Sequence, residues 1–290
     1  MTPKVIDAHI HVTKFSEMKT EALEYMMTNL FFKENWRKLE LMPKFLIDIM
    51  VEENVEKAVL INYVAPSVIG FTESVNEFVS NYAKEYPDML IPFGGIDVKR
   101  HTREDIKNIL EELYSRYEVK GIKLHPVHQL FYVNQYVDDY GSSKLEQLKV
   151  LYEFCEDRGI PVTVHTGTSM FPGARIRYGN PIYLDDVAVD FPRLKIIMAH
   201  GGRPIWMSTA FYLLRRHRSN MFLDISGIPP QRLLEYFPRL TEIAHKIIFG
   251  SDWPSPGVKG MRKNAELIMQ LPIDNEIKDS ILYRNFRQLL

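Results

Sequence analysis

Eight short runs of β-branched and aliphatic residues recur along this chain, each followed by a stretch with helical spacing of apolar residues, and no other feature narrows the possible folds as much. The runs fall at 5–12 (VIDAHIHV), 57–63 (KAVLINY), 90–98 (LIPFGGIDV), 121–126 (GIKLHP), 161–167 (PVTVHTG), 195–202 (KIIMAHGG), 221–227 (MFLDISG) and 247–254 (IIFGSDWP). Several end in Gly, Pro or Asn, which stop strands. Between the fourth and fifth runs, Leu145, Leu148, Leu151, Tyr152 and Cys155 line one helical face. Ser74, and Ser142 or Ser143, stand where helix N-caps are expected. Eight strand–helix units in 290 residues predict an α/β fold, a (β/α)8 TIM barrel, as a single domain over 1–290. A doubly wound sheet would carry a Gly-rich phosphate turn after its first strand. Here that strand runs into His-Val-Thr-Lys.

One segment breaks the rhythm. Residues 13–40 follow the first strand and are rich in Met26, Met27, Leu30, Phe31, Phe32 and Trp36. They predict a helical insertion acting as a lid, or as a rim or dimer contact, because loops after barrel strands face the active site. The end of the chain, 274–290, reads as an amphipathic closing helix through Ile277, Ile281, Leu282, Phe286 and Leu289.

Composition excludes several function classes. A net charge of −1 argues against a broad basic surface for nucleic acid. The single cysteine, Cys155, rules out a disulfide framework and a cysteine-only metal cage, and its place on an apolar helix face predicts an inert thiol. No apolar run has the length of a membrane span, and the first residues lack a signal-peptide core, so a cytoplasmic protein is expected.

Polar residues inside barrel strands need a reason, since those strands are buried on both faces. Strict alternation puts Asp7, His9 and His11 on one face of the first strand, opposite Ile6, Ala8 and Ile10. If the aliphatic set faces the helices, His9 and His11 aim two imidazoles at one point inside the barrel mouth. By the same parity Lys123 and His125 point inward from the fourth strand. The fifth run carries His165, the sixth His200, and the eighth Asp252-Trp253-Pro254. Five histidines and one aspartate therefore gather at the strand ends where barrel enzymes keep their chemistry. Histidine nitrogens with one carboxylate suit Zn²⁺ and tolerate Fe²⁺, Mn²⁺ or Co²⁺. His101, His128, His217 and His245 fall in helices or loops and read as structural, although His128 directly follows the fourth strand. In the seventh run, either Asp224 and Ser226 or Leu223, Ile225 and Gly227 face inward; Asp224 and Asp7 are both candidates to orient a ligand histidine.

The ordered set of His-x-His after the first strand, His165, His200-Gly201-Gly202 and Ser251-Asp252-Trp253-Pro254 resembles the amidohydrolase superfamily. More narrowly it is similar to the amidohydrolase-related branch that includes aminocarboxymuconate-semialdehyde decarboxylase-like proteins. The resemblance implies His9, His11, His165 and Asp252 as ligands of one divalent metal. It also implies His200 beside the metal, as a further ligand or as an acid–base. Two-metal members carry a carboxylated lysine near Lys123, so a second ion would accompany that modification; otherwise Lys123 binds a substrate carboxylate or pairs with a buried acid. The expected reaction is hydrolysis of a small-molecule amide, lactone or related carbonyl substrate, with Asp252 as proton acceptor; the alternative is non-oxidative decarboxylation of a small aromatic or unsaturated acid. His125, Lys123, Arg175, Arg177, Arg203 and Trp253 are the candidate substrate contacts, the arginines as carboxylate clamps. A homodimer is expected by analogy with the family.

Overall fold

A computed structural model describes residues 4–29 and 34–289. Eight parallel strands form one sheet in sequence order: β1 (Val5–Ile10), β2 (Val55–Ile61), β3 (Leu90–Gly95), β4 (Gly121–Leu124), β5 (Val162–His165), β6 (Ile196–Ala199), β7 (Met221–Asp224) and β8 (Ile247–Ile248). The extended segment beyond β8 closes the ring. Ala8 N–H donates to the Phe249 carbonyl at 2.8 Å, Asp252 N–H to that of His9 at 2.9 Å, and His11 N–H to that of Trp253 at 2.7 Å. The fold is the (β/α)8 barrel, and among the described residues no helix is long and apolar enough to cross a membrane.

Two apolar layers enclose the strands. Outside, Ile122, Leu124, Val164, Met198, Leu223 and Phe249 pack against Ile106, Leu110, Leu151 and Leu213 of the surrounding helices. Inside, Ile6, Ala8, Val59, Ile61, Ile91, Phe93, Ile197 and Ile248 meet across the barrel and are closed from below by Phe286 and Leu289. Those last two belong to the C-terminal helical stretch Asn275–Arg287 and the residues just after it, with a π-turn at Ser280–Arg284.

The inner layer corrects the parity expected for β1. Ile6 and Ala8 face the barrel interior, not the helices. Asp7 pairs with Ala58 but Ile10 with Leu60, so three residues of β1 are spanned by two of β2. A bulge of this kind breaks the two-residue alternation. Downstream of it His9 and His11 turn inward while Ile10 joins the outer layer.

Two expected caps also differ. The helix Ser74–Lys84 begins at Ser74, whose hydroxyl donates to Glu17 (2.7 Å to Oε2), and Glu73 holds the N-cap position. Leu145, not a serine, precedes the helix Glu146–Arg158. After β1 the chain forms a turn at Phe15–Glu17 and helices at Thr20–Asn29, Trp36–Leu41 and Pro43–Glu52. Leu30, Phe31 and Phe32, which contribute to the apolar character of the insertion, lie outside the described residues.

Candidate metal centre

The C-terminal half of the barrel holds polar groups that the apolar plug beneath does not. His9 and His11, turned inward by the bulge, bring their Nε2 atoms within 3.3 Å of each other. Asp252 Oδ1 stands 3.2 Å from His11 Nε2 and 3.7 Å from His9 Nε2. These three side chains form the one group of potential ligands found among the described residues. Gly250, two residues before Asp252, lets the chain after β8 lie against its neighbours: a Cβ there would stand 2.4 Å from Asp224 Oδ1 and 2.7 Å from His9 Cβ. Asp252 and His200 both adopt left-handed backbone, each with φ of 68°. Non-glycine residues seldom do so, and such strain tends to gather where side chains are aimed for a purpose.

Hydrogen bonds fix which ring nitrogens are bare. His9 Nδ1–H donates to Asp224 Oδ2 at 2.5 Å, which leaves the Nε2 lone pair facing Asp252. His11 Nδ1–H donates to the Ile61 carbonyl at 3.2 Å, with the same result. His200 Nδ1–H donates to the Ser226 carbonyl at 2.8 Å. Asp224 is itself held by Ser226, whose backbone N–H reaches Oδ1 at 2.8 Å and whose hydroxyl reaches Oδ2 at 2.9 Å. Asp224 and Ser226 are thus the inward pair of the seventh run. Asp7 serves the backbone instead, accepting from the N–H groups of His9 and Ser251.

The electrostatics suit a cation. Burial pushes His9, His165 and His200 well below the usual imidazole range, with the charges of Lys123 and Arg203 adding to it, so all three are neutral and able to coordinate. Burial alone would raise the Asp252 carboxyl; the polar surroundings formed by the two imidazoles, with the Arg203 guanidinium, outweigh it and keep Asp252 ionised. Burial pushes Asp7 up to about 7 and moves Asp224 in the same direction. Two bare imidazole nitrogens, one ionised carboxylate and a carboxylate behind a ligand histidine fit a divalent metal of borderline softness.

A pocket of about 240 Å³ opens over this cluster, walled by Phe15, Tyr25, Met26 and Phe171. The segment following β1 therefore contributes part of the wall. His11, His125, His165, His200, Arg203 and Asp252 also face it. His165 is not drawn into the ligand group: its ring stacks on His125 at 3.9 Å between centroids, and Nε2 lies 3.3 Å from the Thr168 carbonyl. Lys123 lies below the pocket, fully buried with no partner for Nζ, and burial lowers its pKa against the pull of Asp224 and Asp252.

Three candidate substrate contacts sit elsewhere. Arg175 and Arg177 are exposed and do not line the pocket, and Arg177 instead covers the Tyr178 ring at 4.8 Å. Trp253 is buried in the outer apolar layer. Conversely, His128 belongs to the site. It stacks on His125 at 3.7 Å, with Nδ1 3.0 Å from the Tyr63 hydroxyl and Nε2 2.7 Å from Ser169 Oγ. The sequence signal was present: His125 and His128 are three residues apart, and Pro126 starts one helical turn between them.

Comparison with known proteins bears on the family and the fold. A family model described as Amidohydrolase matches residues 6–290. Among solved structures, an uncharacterized TIM-barrel protein from Bordetella bronchiseptica is 24% identical with a TM-score of 0.74, over 99% of this chain and 98% of that one. A 5-carboxyvanillate decarboxylase from Sphingomonas paucimobilis is 14% identical with a TM-score of 0.68, over 99% and 98%. A probable 2-pyrone-4,6-dicarboxylic acid hydrolase from Acinetobacter baumannii, with citric acid bound, is 18% identical with a TM-score of 0.64, over 100% and 99%. No curated protein matches the chain.

Proposed function

We propose a hydrolytic function from the premise that the chain belongs to the amidohydrolase family, a family of enzymes. The substrate is a small molecule with an amide, lactone or related carbonyl. One divalent metal, best matched by Zn²⁺, is held by His9, His11 and Asp252, with His165 adjacent; a second would require carboxylated Lys123. Bound there, the ion supplies Lewis acidity toward substrate and water oxygens.

The observation that carries the reading is the placement of the Asp252 carboxylate, whose Oδ1 faces the ligand histidines and whose Oδ2 lies 3.5 Å from Arg203 at the pocket. Asp252 takes the proton of the attacking water and returns it to the leaving group as the carbon–heteroatom bond breaks. His200, with its proton on Nδ1, presents Nε2 as an acceptor that orients that water. The apolar wall of Phe15, Met26 and Phe171 limits competing solvent.

Decarboxylation is the second reading. Arg203 favours it, because its guanidinium lines the pocket with Nη2 beside Asp252 and suits a substrate carboxylate. Oxygen labelling separates the two. Turnover in H₂¹⁸O places one label in a hydrolysis product, whereas decarboxylation releases carbon dioxide and incorporates none. Metal analysis of protein purified without chelator or histidine tag accompanies it, and about one ion per chain is expected. No metal after reconstitution, or a metal-free chain that turns over at the same rate, refutes both readings.

A further inference from the structure

Four tyrosines meet on the loops after β4 and β5. Tyr132 and Tyr140 follow β4, and Tyr178 and Tyr183 follow β5. The Tyr132 ring touches the other three, with centroids at 4.4 Å to Tyr140, 4.7 Å to Tyr178 and 4.7 Å to Tyr183. These contacts tie the two loops together but leave apolar surface in water. Val137, Tyr140, Ile176 and Ile182, all from the same loops, are 37–45% exposed. Tyrosine with arginine is the composition that protein interfaces concentrate at their centres.

Charge is sorted along this stripe. At one end Arg177 lies over the Tyr178 ring at 4.8 Å, and its Nη2 donates to that phenol oxygen at 2.8 Å. At the other end Asp138 Oδ1 accepts the Tyr140 N–H at 3.4 Å. Both side chains are exposed, and among the described residues neither forms an ion pair. The order is therefore Arg177, Tyr178, Tyr132, Tyr140, Asp138. A two-fold axis through the middle of the stripe reverses that order in the partner, so that cation meets anion at both ends and ring meets ring between them. A partner of uniform charge would satisfy one end only. Arg177, stacked on Tyr178, is already held in place, which lowers the entropy lost on contact.

We propose that this stripe is the contact face of a two-fold homodimer, in which Arg177 of each protomer pairs with Asp138 of the other across the stacked tyrosines. Analogy with the family leads to a homodimer without a contact face, and the stripe supplies one. It also gives Arg177 a use outside the pocket, which that side chain does not line. The proposal is independent of the hydrolytic reading.

Sedimentation velocity on the metal-replete full chain, from about 1 to 100 µM, tests this. The wild type is expected to be a dimer over most of that range. Arg177→Asp sets acid against Asp138 at both ends, and Asp138→Arg sets arginine against Arg177 at both ends. Each should weaken the dimer at least about tenfold. An equimolar mixture of the two variants should dimerise again, because each end of the mixed dimer pairs an acid with an arginine. The double variant Arg177→Asp/Asp138→Arg should regain the homodimer for the same reason, and either recovery shows that the single variants are folded. A wild-type chain that stays monomeric throughout overturns the proposal and leaves the stripe to another ligand. A dimer that either single variant leaves intact overturns it too, as does a loss that neither the mixture nor the double variant restores. None of these results touches the hydrolytic reading, which stands or falls on metal content and oxygen labelling.

Discussion

Replacing Asp224 by Asn should damage metal binding more than replacing it by Ala, although Asn is closer in shape. Ser226 N–H donates to Asp224 Oδ1 at 2.8 Å, and that backbone donor cannot be reversed. An asparagine side chain at this position must therefore put its carbonyl oxygen there and its NH₂ where Oδ2 now meets His9 Nδ1 at 2.5 Å. Two donors would face each other unless His9 moves its proton to Nε2, the atom that now offers a lone pair beside Asp252. Holding the coordinating tautomer against that amide leaves donors unsatisfied, at about 1–3 kcal/mol, or roughly 5–150-fold in affinity at about 1.4 kcal/mol per tenfold. Alanine removes the carboxylate without imposing the wrong tautomer. His9 Nδ1–H then has Ser226 Oγ, 3.1 Å away, as its acceptor, and the loss should stay near the roughly tenfold lower end for supporting residues. Competition against a fluorescent zinc chelator measures both variants, with urea unfolding of the metal-free proteins as control. The metal-free Asp224→Asn variant should unfold close to wild type because all its hydrogen bonds are met. If Asp224→Asn binds Zn²⁺ as tightly as wild type, or more tightly than Asp224→Ala, that result would falsify the tautomer argument.

Other expectations concern the scaffold. Lys246 is buried and donates to the carbonyls of Leu214 and His217 at the C-terminal end of the helix Met207–Arg216; Lys246→Met should lose about 2–4 kcal/mol in urea unfolding, and a change below about 0.5 kcal/mol would contradict that role. Gly250→Ala drives a methyl into Asp224 and His9, so it should cost about 1–3 kcal/mol and lower metal occupancy; a stable variant with full metal content would show that β8 can move aside. Burial pushes His128 down to about 3, whereas an unfolded chain protonates it near about 6.5. Between those values the unfolded state binds the extra proton, so stability falls as pH drops through the window, and His128→Gln should flatten that slope by up to about one proton. Burial likewise raises the Cys155 thiol, which should label with thiol reagents only as fast as the protein unfolds; rapid labelling of native protein is the contrary result.

The barrel was legible because its signal is repeated: eight strand-like runs separated by helical spacing leave few alternatives, and all eight strands occur where the runs lie. The clustering of His9, His11 and Asp252 was legible too, since strand ends in this fold converge on one mouth. What failed was local. The alternation argument for β1 reached the right histidines through a wrong premise, because a bulge inserts one residue and flips the parity of Ile6 and Ala8. Bulges depend on backbone pairing with β2 and carry no fixed residue signature. Trp253 and Arg175 were read from their place after strands, but direction within a loop is set by tertiary packing. His128 groups in the sequence with the loop and helix histidines, set apart only by directly following the fourth strand, and it is the turn at Pro126 that brings its ring onto His125.

The barrel separates what stabilises it from what it is built to hold. Below, Ile6, Ile91, Phe93, Ile197, Ile248 and Phe286 fill the bore with apolar side chains; Gly121 leaves room for the Phe93 ring, which would lie 2.2 Å from a Cβ there. Above, Lys123, Asp224, Asp252 and all the site histidines but the half-buried His11 are buried at a desolvation cost that hydrogen bonds offset only in part, since Lys123 Nζ, His125 Nδ1 and Asp7 Oδ2 have no partner. A cluster of this kind in the middle of a single core would weaken it throughout. Stacked on a dry plug closed by the C-terminal helix, it leaves the lower half to carry stability. Truncations in the plug should therefore cost several kcal/mol each, as buried aromatic deletions do at about 3–5 kcal/mol, while neutral replacements of Lys123 should leave stability unchanged or raise it. Phe93→Ala and Lys123→Met form that pair, and the same sign of stability change in both would mean that the two layers fold as one.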